Sequence, residues 1–358
     1  MNRSQLHVLA SALDGDGDAL AEACRMDPTG ALARRHRAGP ALYIAARALE
    51  NPFDCESWHR ELHENAVRSA ILMESLYQAG EVLDRAGLAW APLKGLDLGS
   101  RVYNEPEERP TGDVDILVFP SDGDRARQAL LEAGWKELYQ GQRSARYTRE
   151  EGYAWQLLGA NGVLLELHFR LWGLIPTGYE TVALARATPG EGGRRLRWAD
   201  AYVVAAAHFW TVTPPRPLIG LRDLHLCGKS LANAGEVVQI TIDWDLQAQV
   251  AMAAALSFEF WQGPVCGEIV QRLKPLLRRS EQRLFEGWQD DGAHLDLRWR
   301  SLALARLLAG RRSRAGWRVA WRRLWPHAGL AERATPEDWP WWRRRARFQK
   351  DWWLPGSR

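Results

Sequence analysis

The chain of 358 residues has room for about two domains, each with its own core. Hydrophobic residues at 46% and charged residues at 25% place it among globular chains and exclude a disordered or fibrous one. A net charge of +3 supplies no general attraction for nucleic acid, and no run of about 18 apolar residues offers a membrane span.

In chain order, the first segment reads as helical. The opening MNRSQLHVLASALDGDGD has no long apolar core of the kind a secretory leader carries, so a cytoplasmic protein is expected. Cys24, Cys55, Cys227 and Cys266 have neither metal-ligand spacing nor a CxxC pair, which fits reduced thiols. Ser57 to Ala86 is strongly periodic, with Leu62, Ala66, Ser69, Met73, Leu76, Ala79 and Leu83 on one face, and Gly87 ends that helix.

The next segment alternates between strand and helix signals. Leu88 to Leu93 reads as a short strand, Gly95 to Val102 as a short helix, and Asn104 to Gly112 as a loop with two prolines. Val114 to Phe119 reads as a second strand. Ser121 or Asp122 caps a helix to about Glu132, closed by Gly134. Tyr153 to Leu158 and Val163 to Phe169 read as a hairpin across GANG, because Asn161-Gly162 tolerates the positive φ of a tight turn. From Tyr179 onward strand signals fade. Asp200, as a cap, opens a helix to Trp210, and helical stretches continue to about Leu324. The fold class expected is α+β: a small mixed-sheet core at 88–178, between an N-terminal helical region at 1–87 and a C-terminal helical region at 179–358.

Asp113 and Asp115 flank one residue at the start of the second strand, so both carboxylates point to one face. They repel unless a cation lies between them, and oxygen ligands at that spacing suit Mg²⁺ with substrate phosphates. Glu166 is the candidate third carboxylate. It opposes the run Leu165, Leu167, Phe169, and His168 shares its face. Such carboxylates are otherwise solvated polar positions of a strand.

The strings PLKG, YNEPEERPTGDVDILV and LLELHFRL resemble the nucleotidyltransferase superfamily with the polymerase-beta-type fold. The likeness is greatest to a bacterial branch that carries Lys-Gly where others carry Gly-Ser, and an Arg-Pro-x-Gly-Asp-x-Asp run before an apolar strand, here Arg109 to Val118. It covers about residues 60 to 260. The resemblance implies nucleotidyl transfer from a nucleoside triphosphate such as ATP, with release of pyrophosphate. Asp113 and Asp115 would hold Mg²⁺, and Glu166 would hold a second ion or act as base. Lys94 would place a charge on phosphate, and Gly95 would let the backbone approach it.

Arg109 reaches phosphate, pairs with Asp113, or holds its own loop. His168 either supports Glu166 or is an ordinary core residue. Tyr103 is expected to pack, and Asp223 to be helix-surface charge. The acceptor is read as a metabolite or a peptide. The alternative is a non-catalytic module that binds nucleotide or a partner. Near the C-terminus, Trp317, Trp321 and Trp325 form a stripe interleaved with Arg318, Arg322 and Arg323. They are expected to pack on the protein's own helices, in preference to a membrane surface or nucleic acid bases.

Overall fold

A computed structural model describes residues 3–49, 55–140, 142–171, 177–190, 193–210 and 217–290. The tryptophan stripe at 317–325 lies outside the described residues. Four helices open the chain: α1 (Arg3–Leu13), α2 (Gly17–Met26), α3 (Ala31–Arg35) and α4 (Gly39–Arg47). The Asp16 side chain caps α2 by accepting from Ala19 N–H at 3.0 Å. The long helix α5 (Glu56–Arg85) follows. Its buried stripe is Glu61, Asn65, Ser69, Leu72, Leu76, Ala79 and Leu83, the spacing that keeps one helix face inward. Leu62, Ala66 and Met73 flank this stripe instead of lying at its centre. Gly80 is needed where Trp90 crosses, since a Cβ there would sit 2.3 Å from the indole.

The central unit runs β1 (Trp90–Pro92), α6 (Lys94–Val102), β2 (Val114–Val118), α7 (Gly123–Glu132), β3 (Lys136–Glu137), α8 (Gln142–Glu151), β4 (Ala154–Leu158) and β5 (Leu164–His168). Its five strands lie in the order β1-β2-β5-β4-β3, with β2 and β5 parallel and every other pair antiparallel. The mixed sheet and flanking helices give the α+β class expected. Gly162 has a φ of 77°, as the GANG turn requires. Asp122 precedes α7 without a side-chain capping bond. The strand β3 and the helix α8 were not expected, because QRSARYTREE has almost no apolar residues to set a period.

The pleat gives the sheet two distinct faces. On one, Val114, Ile116, Val118, Trp155, Leu157, Leu165 and Leu167 share a core with Leu72, Leu76 and Leu83 of α5 and Leu130 of α7. On the other, Ala91, Leu93 and Leu117 join a larger core built by the remaining helices.

Those helices are α9 (Tyr179–Arg186), α10 (Trp198–Phe209), α11 (Leu218–Lys229), α12 (Gly235–Asp243), α13 (Gln247–Trp261), α14 (Pro264–Leu273) and α15 (Arg279–Asp290). A two-stranded ribbon, β6 (Thr188–Gly190) and β7 (Gly193–Arg195), interrupts them. Its Thr-Pro-Gly and Gly-Arg-Arg sequences have no hydrophobic alternation, which is why strand signals fade from Tyr179 onward. Asp200 does not cap α10. It is fully buried inside the helix and accepts from Tyr179 Oη at 2.8 Å and from the Arg186 guanidinium. Buried from Ala248 to Ser257, α13 lies at the centre of the helical half. The N-terminal helices pack into this same core: Trp261 Nε1 donates to Ala10 O at 3.1 Å, and His36 Nδ1 accepts from Leu218 N–H at 3.2 Å. No helix among the described residues is long and apolar enough to cross a membrane.

Candidate active site

The strand pairing decides which polar groups meet. In the parallel pair β2–β5, Asp115 lies opposite Glu166 and Leu117 opposite His168. In the antiparallel pair β4–β5, Gln156 lies opposite Glu166 and Ala154 opposite His168. The even-odd alternation turns Asp115, Glu166, His168 and Gln156 away from the α5–α7 core and toward the helical half. Lys94 enters from the junction of β1 and α6. Its φ of 48° is left-handed, a conformation that a lysine adopts only at a cost.

Asp115 Oδ1 accepts from Lys94 Nζ at 2.9 Å and from His168 Nε2 at 2.8 Å. The same Nε2 lies 3.5 Å from Glu166 Oε2, while Glu166 Oε1 accepts from Gln156 Nε2 at 2.7 Å. Tyr153 stacks on the imidazole, with centroids 5.5 Å apart. The charged groups are largely buried, with His168 fully enclosed, Asp115 5% exposed and Glu166 8%, while Tyr153 covers the imidazole from the exposed side.

Burial alone would raise the Asp115 carboxyl. Lys94 and the His168 hydrogen bond outweigh it and hold Asp115 well below the usual carboxylate range. The same balance lowers Glu166, through its bond to His168. Burial would strip the proton from His168, but its two carboxylate partners raise its pKa instead. Asp113 behaves oppositely. Half-buried at the entrance of β2, it is pushed up to about 6 by burial and then by the neighbouring Asp115 charge, with Lys94 opposing.

The structure therefore groups Asp115, Glu166, His168 and Lys94, with Asp113 in electrostatic reach at the rim. Arg109 goes elsewhere. Its guanidinium grips Asp223 of α11 through Nε at 2.9 Å and a second nitrogen at 2.6 Å, and donates to Thr111 Oγ1 at 3.0 Å. Asp223 is thus not surface charge. It is 3% exposed and also accepts from Tyr103 Oη at 2.7 Å, so Tyr103 does more than pack. Gly95 is hemmed in by Thr111 and Arg109, since a Cβ would lie 2.5 Å from Thr111 Cγ2.

Two further residues face the cluster. Gln156 was legible in principle, because a hairpin turning at GANG sets it opposite Glu166. His208, from α10, is held well below the ordinary histidine range by burial first, then by Lys94, with Asp115 acting against them. Nothing in the local sequence of α10 marks it.

Among the described residues, Asp115, Glu166 and His168 form a group whose ligand atoms lie within 4.8 Å of one another, so the two carboxylates could share one cation, and the imidazole could ligate it only after giving up the proton it directs at Asp115. Asp113 falls outside that group. The donor chemistry fits a divalent ion: two ionised oxygens converge, and His168 holds Asp115 in orientation as metal-site partners do.

Comparison with curated proteins finds no match to the chain. Residues 26–262, about two thirds of its length, match a family described as uncharacterised nucleotidyltransferase. That span takes in the sheet, the carboxylate cluster, Asp223 and α13. The chain belongs to this family of nucleotidyltransferases, and is an enzyme of that class.

Proposed function

We propose that the protein transfers a nucleotidyl group from a nucleoside triphosphate to a metabolite or peptide acceptor. The acceptor oxygen attacks the α-phosphorus, the bond to the bridging oxygen of the β-phosphate breaks, and pyrophosphate leaves. The observation that carries this reading is the in-register pair Asp115 and Glu166, buried on one sheet face beside Lys94. Asp115 and Glu166 would hold Mg²⁺, with Asp113 joining them from the rim of the same strand face, and the ion neutralises phosphate charge and orients the displaced groups when bound. Glu166 is held ionised, and a carboxylate held that low is a weak proton acceptor, which favours a ligand role over a base. Lys94 supplies a compact positive charge at the same place. Segment 88–178 is the proposed catalytic core, with the helical half shaping the acceptor side. The four free thiols agree with the cytoplasmic placement proposed.

One observation favours a second reading. Lys94 and His168 already compensate Asp115, as a module that binds nucleotide without turnover would allow. Pyrophosphate release, measured with ATP, CTP, GTP and UTP against a small-molecule extract, separates the two. The enzyme reading requires release with one triphosphate, dependence on Mg²⁺, and a drop of about 10²–10⁴-fold in Asp115→Asn. Binding by calorimetry without any release, equal with Mg²⁺ and with chelator, would favour the module.

A further inference from the structure

A second polar site lies on α11, on the side away from the carboxylate cluster. Successive residues of a helix turn by about 100°, so His225 points roughly opposite to Asp223, and Lys229 lies one turn on from His225 on the same face. His225 is 4% exposed, and neither of its ring nitrogens has a hydrogen-bond partner. A buried imidazole with two unsatisfied nitrogens is costly and calls for an explanation. It lines a cavity of about 310 Å³, which is the lower end of the range for small-molecule sites.

The surroundings indicate what the cavity would take. Its wall includes Pro264, Val265 and Cys266, the first turn of the ten-residue helix α14. The residue before that turn is Gly263, which offers no side-chain cap, and Pro264 has no N–H, so the N–H groups of Val265 and Cys266 are the first-turn donors that keep their demand for an acceptor. The helix dipole adds positive potential at the same point. Lys229, exposed at the rim, adds a full charge. The imidazole is held against this helix start: a Cβ on Gly263 would lie 2.9 Å from Nδ1. Its far side stacks on Trp261, with centroids 5.5 Å apart and planes at 23°. The charged groups acting on the ring are Lys229 first, then Asp14 in opposition, then Arg222, so positive charge prevails. Leu231, Pro264 and Val265 supply an apolar side.

We propose that this cavity binds a small organic anion, with its carboxylate or phosphate group between the α14 N-terminus, Lys229 and the His225 ring, and its apolar part against Leu231, Pro264 and Val265. The site does not depend on the nucleotidyl-transfer reading, since none of its residues belongs to the carboxylate cluster. Burial holds the free imidazole neutral, down to about 4, so one nitrogen can donate to an anion without a proton having to be taken up first.

The test is histidine-ring NMR on the full chain. The His225 signals are assigned by their loss in His225→Phe, and inorganic phosphate, butyrate and sodium chloride are titrated separately. The expected result is a saturable shift of the His225 signals with phosphate or with butyrate, absent with chloride at equal ionic strength. The dissociation constant should rise about tenfold in Lys229→Ala, as loss of one charge-assisted contact implies. A response to phosphate alone would identify a phosphorylated ligand, and a response to butyrate alone an organic acid. No saturable shift with either anion, or the same affinity in Lys229→Ala with its melting temperature unchanged, would overturn the proposal.

Discussion

Lys94 combines two costs. It adopts a left-handed φ of 48°, and its ammonium is buried against Asp115 at 2.9 Å. Removing one member of a buried ion pair costs about 3–5 kcal/mol when nothing replaces it. Here His168 remains on the same oxygen. Lys94→Ala should therefore lose roughly 2 kcal/mol in urea unfolding, an intermediate cost between that full loss and a surface change. A loss near zero would show that Asp115 does not need the lysine. Glu61 offers an independent check on buried charge. It is 8% exposed, with Arg34 at 3.4 Å and the carboxylates of Asp27 and Glu64 acting against that pairing. Burial raises it from its ordinary 4.5 to about 7, against the pull of Arg34. The folded state thus binds the proton more tightly than the unfolded state does. That contribution to stability is complete below 4.5 and is lost as pH rises through about 7. Glu61→Gln should be more stable than the parent by about 2–3 kcal/mol at pH 8, and close to it near pH 4. Urea midpoints for both proteins at the two pH values decide this, and a less stable variant at pH 8 would mean that the charge is compensated.

At the scale of elements, β2 and β5 were legible because each is an apolar run after a polar start, and the GANG turn set the hairpin register. Their parallel pairing then brings Asp115 opposite Glu166, and a slip of one residue would turn either carboxylate into the α5–α7 core. The link between α11 and the loop before β2 was not legible. Arg109 and Asp223 are 114 residues apart, and no local pattern distinguishes an aspartate that faces inward from one on a helix surface. Likewise β6 and β7 lack alternation, and α8 lacks an apolar face. The Arg109–Asp223 clamp holds the carboxylate-bearing loop against the helical half. In a double-mutant cycle, Arg109→Ala and Asp223→Ala should each cost about 3–5 kcal/mol, and the double variant clearly less than their sum, because each single change leaves a buried charge unpaired. Additive losses would mean that the two residues stabilise the fold separately.

The molecule as a whole is a sheet between two cores. The smaller joins the sheet to α5 and α7, and the larger gathers α1 to α4 with the C-terminal helices. The order of elements anticipated helices on either side of a strand-rich middle. That the first four helices return to pack with the last ones depends on contacts such as Trp261 with Ala10 and Leu218 with His36, which have no signature along the chain. The polar sheet face is turned toward this larger core, where His208 approaches from α10. An acceptor would thus meet the carboxylates from the helical side.

The most direct measurement of nucleotidyl transfer follows the fate of the phosphates. The protein is incubated with Mg²⁺, the small-molecule extract and a triphosphate labelled either at the α- or at the γ-phosphorus. The expected result is that α-label passes to an acceptor while γ-label leaves as pyrophosphate, with both lost in Asp115→Asn and Glu166→Gln. Transfer of γ-label to the acceptor, or release of single phosphate with activity retained in both variants, would contradict it.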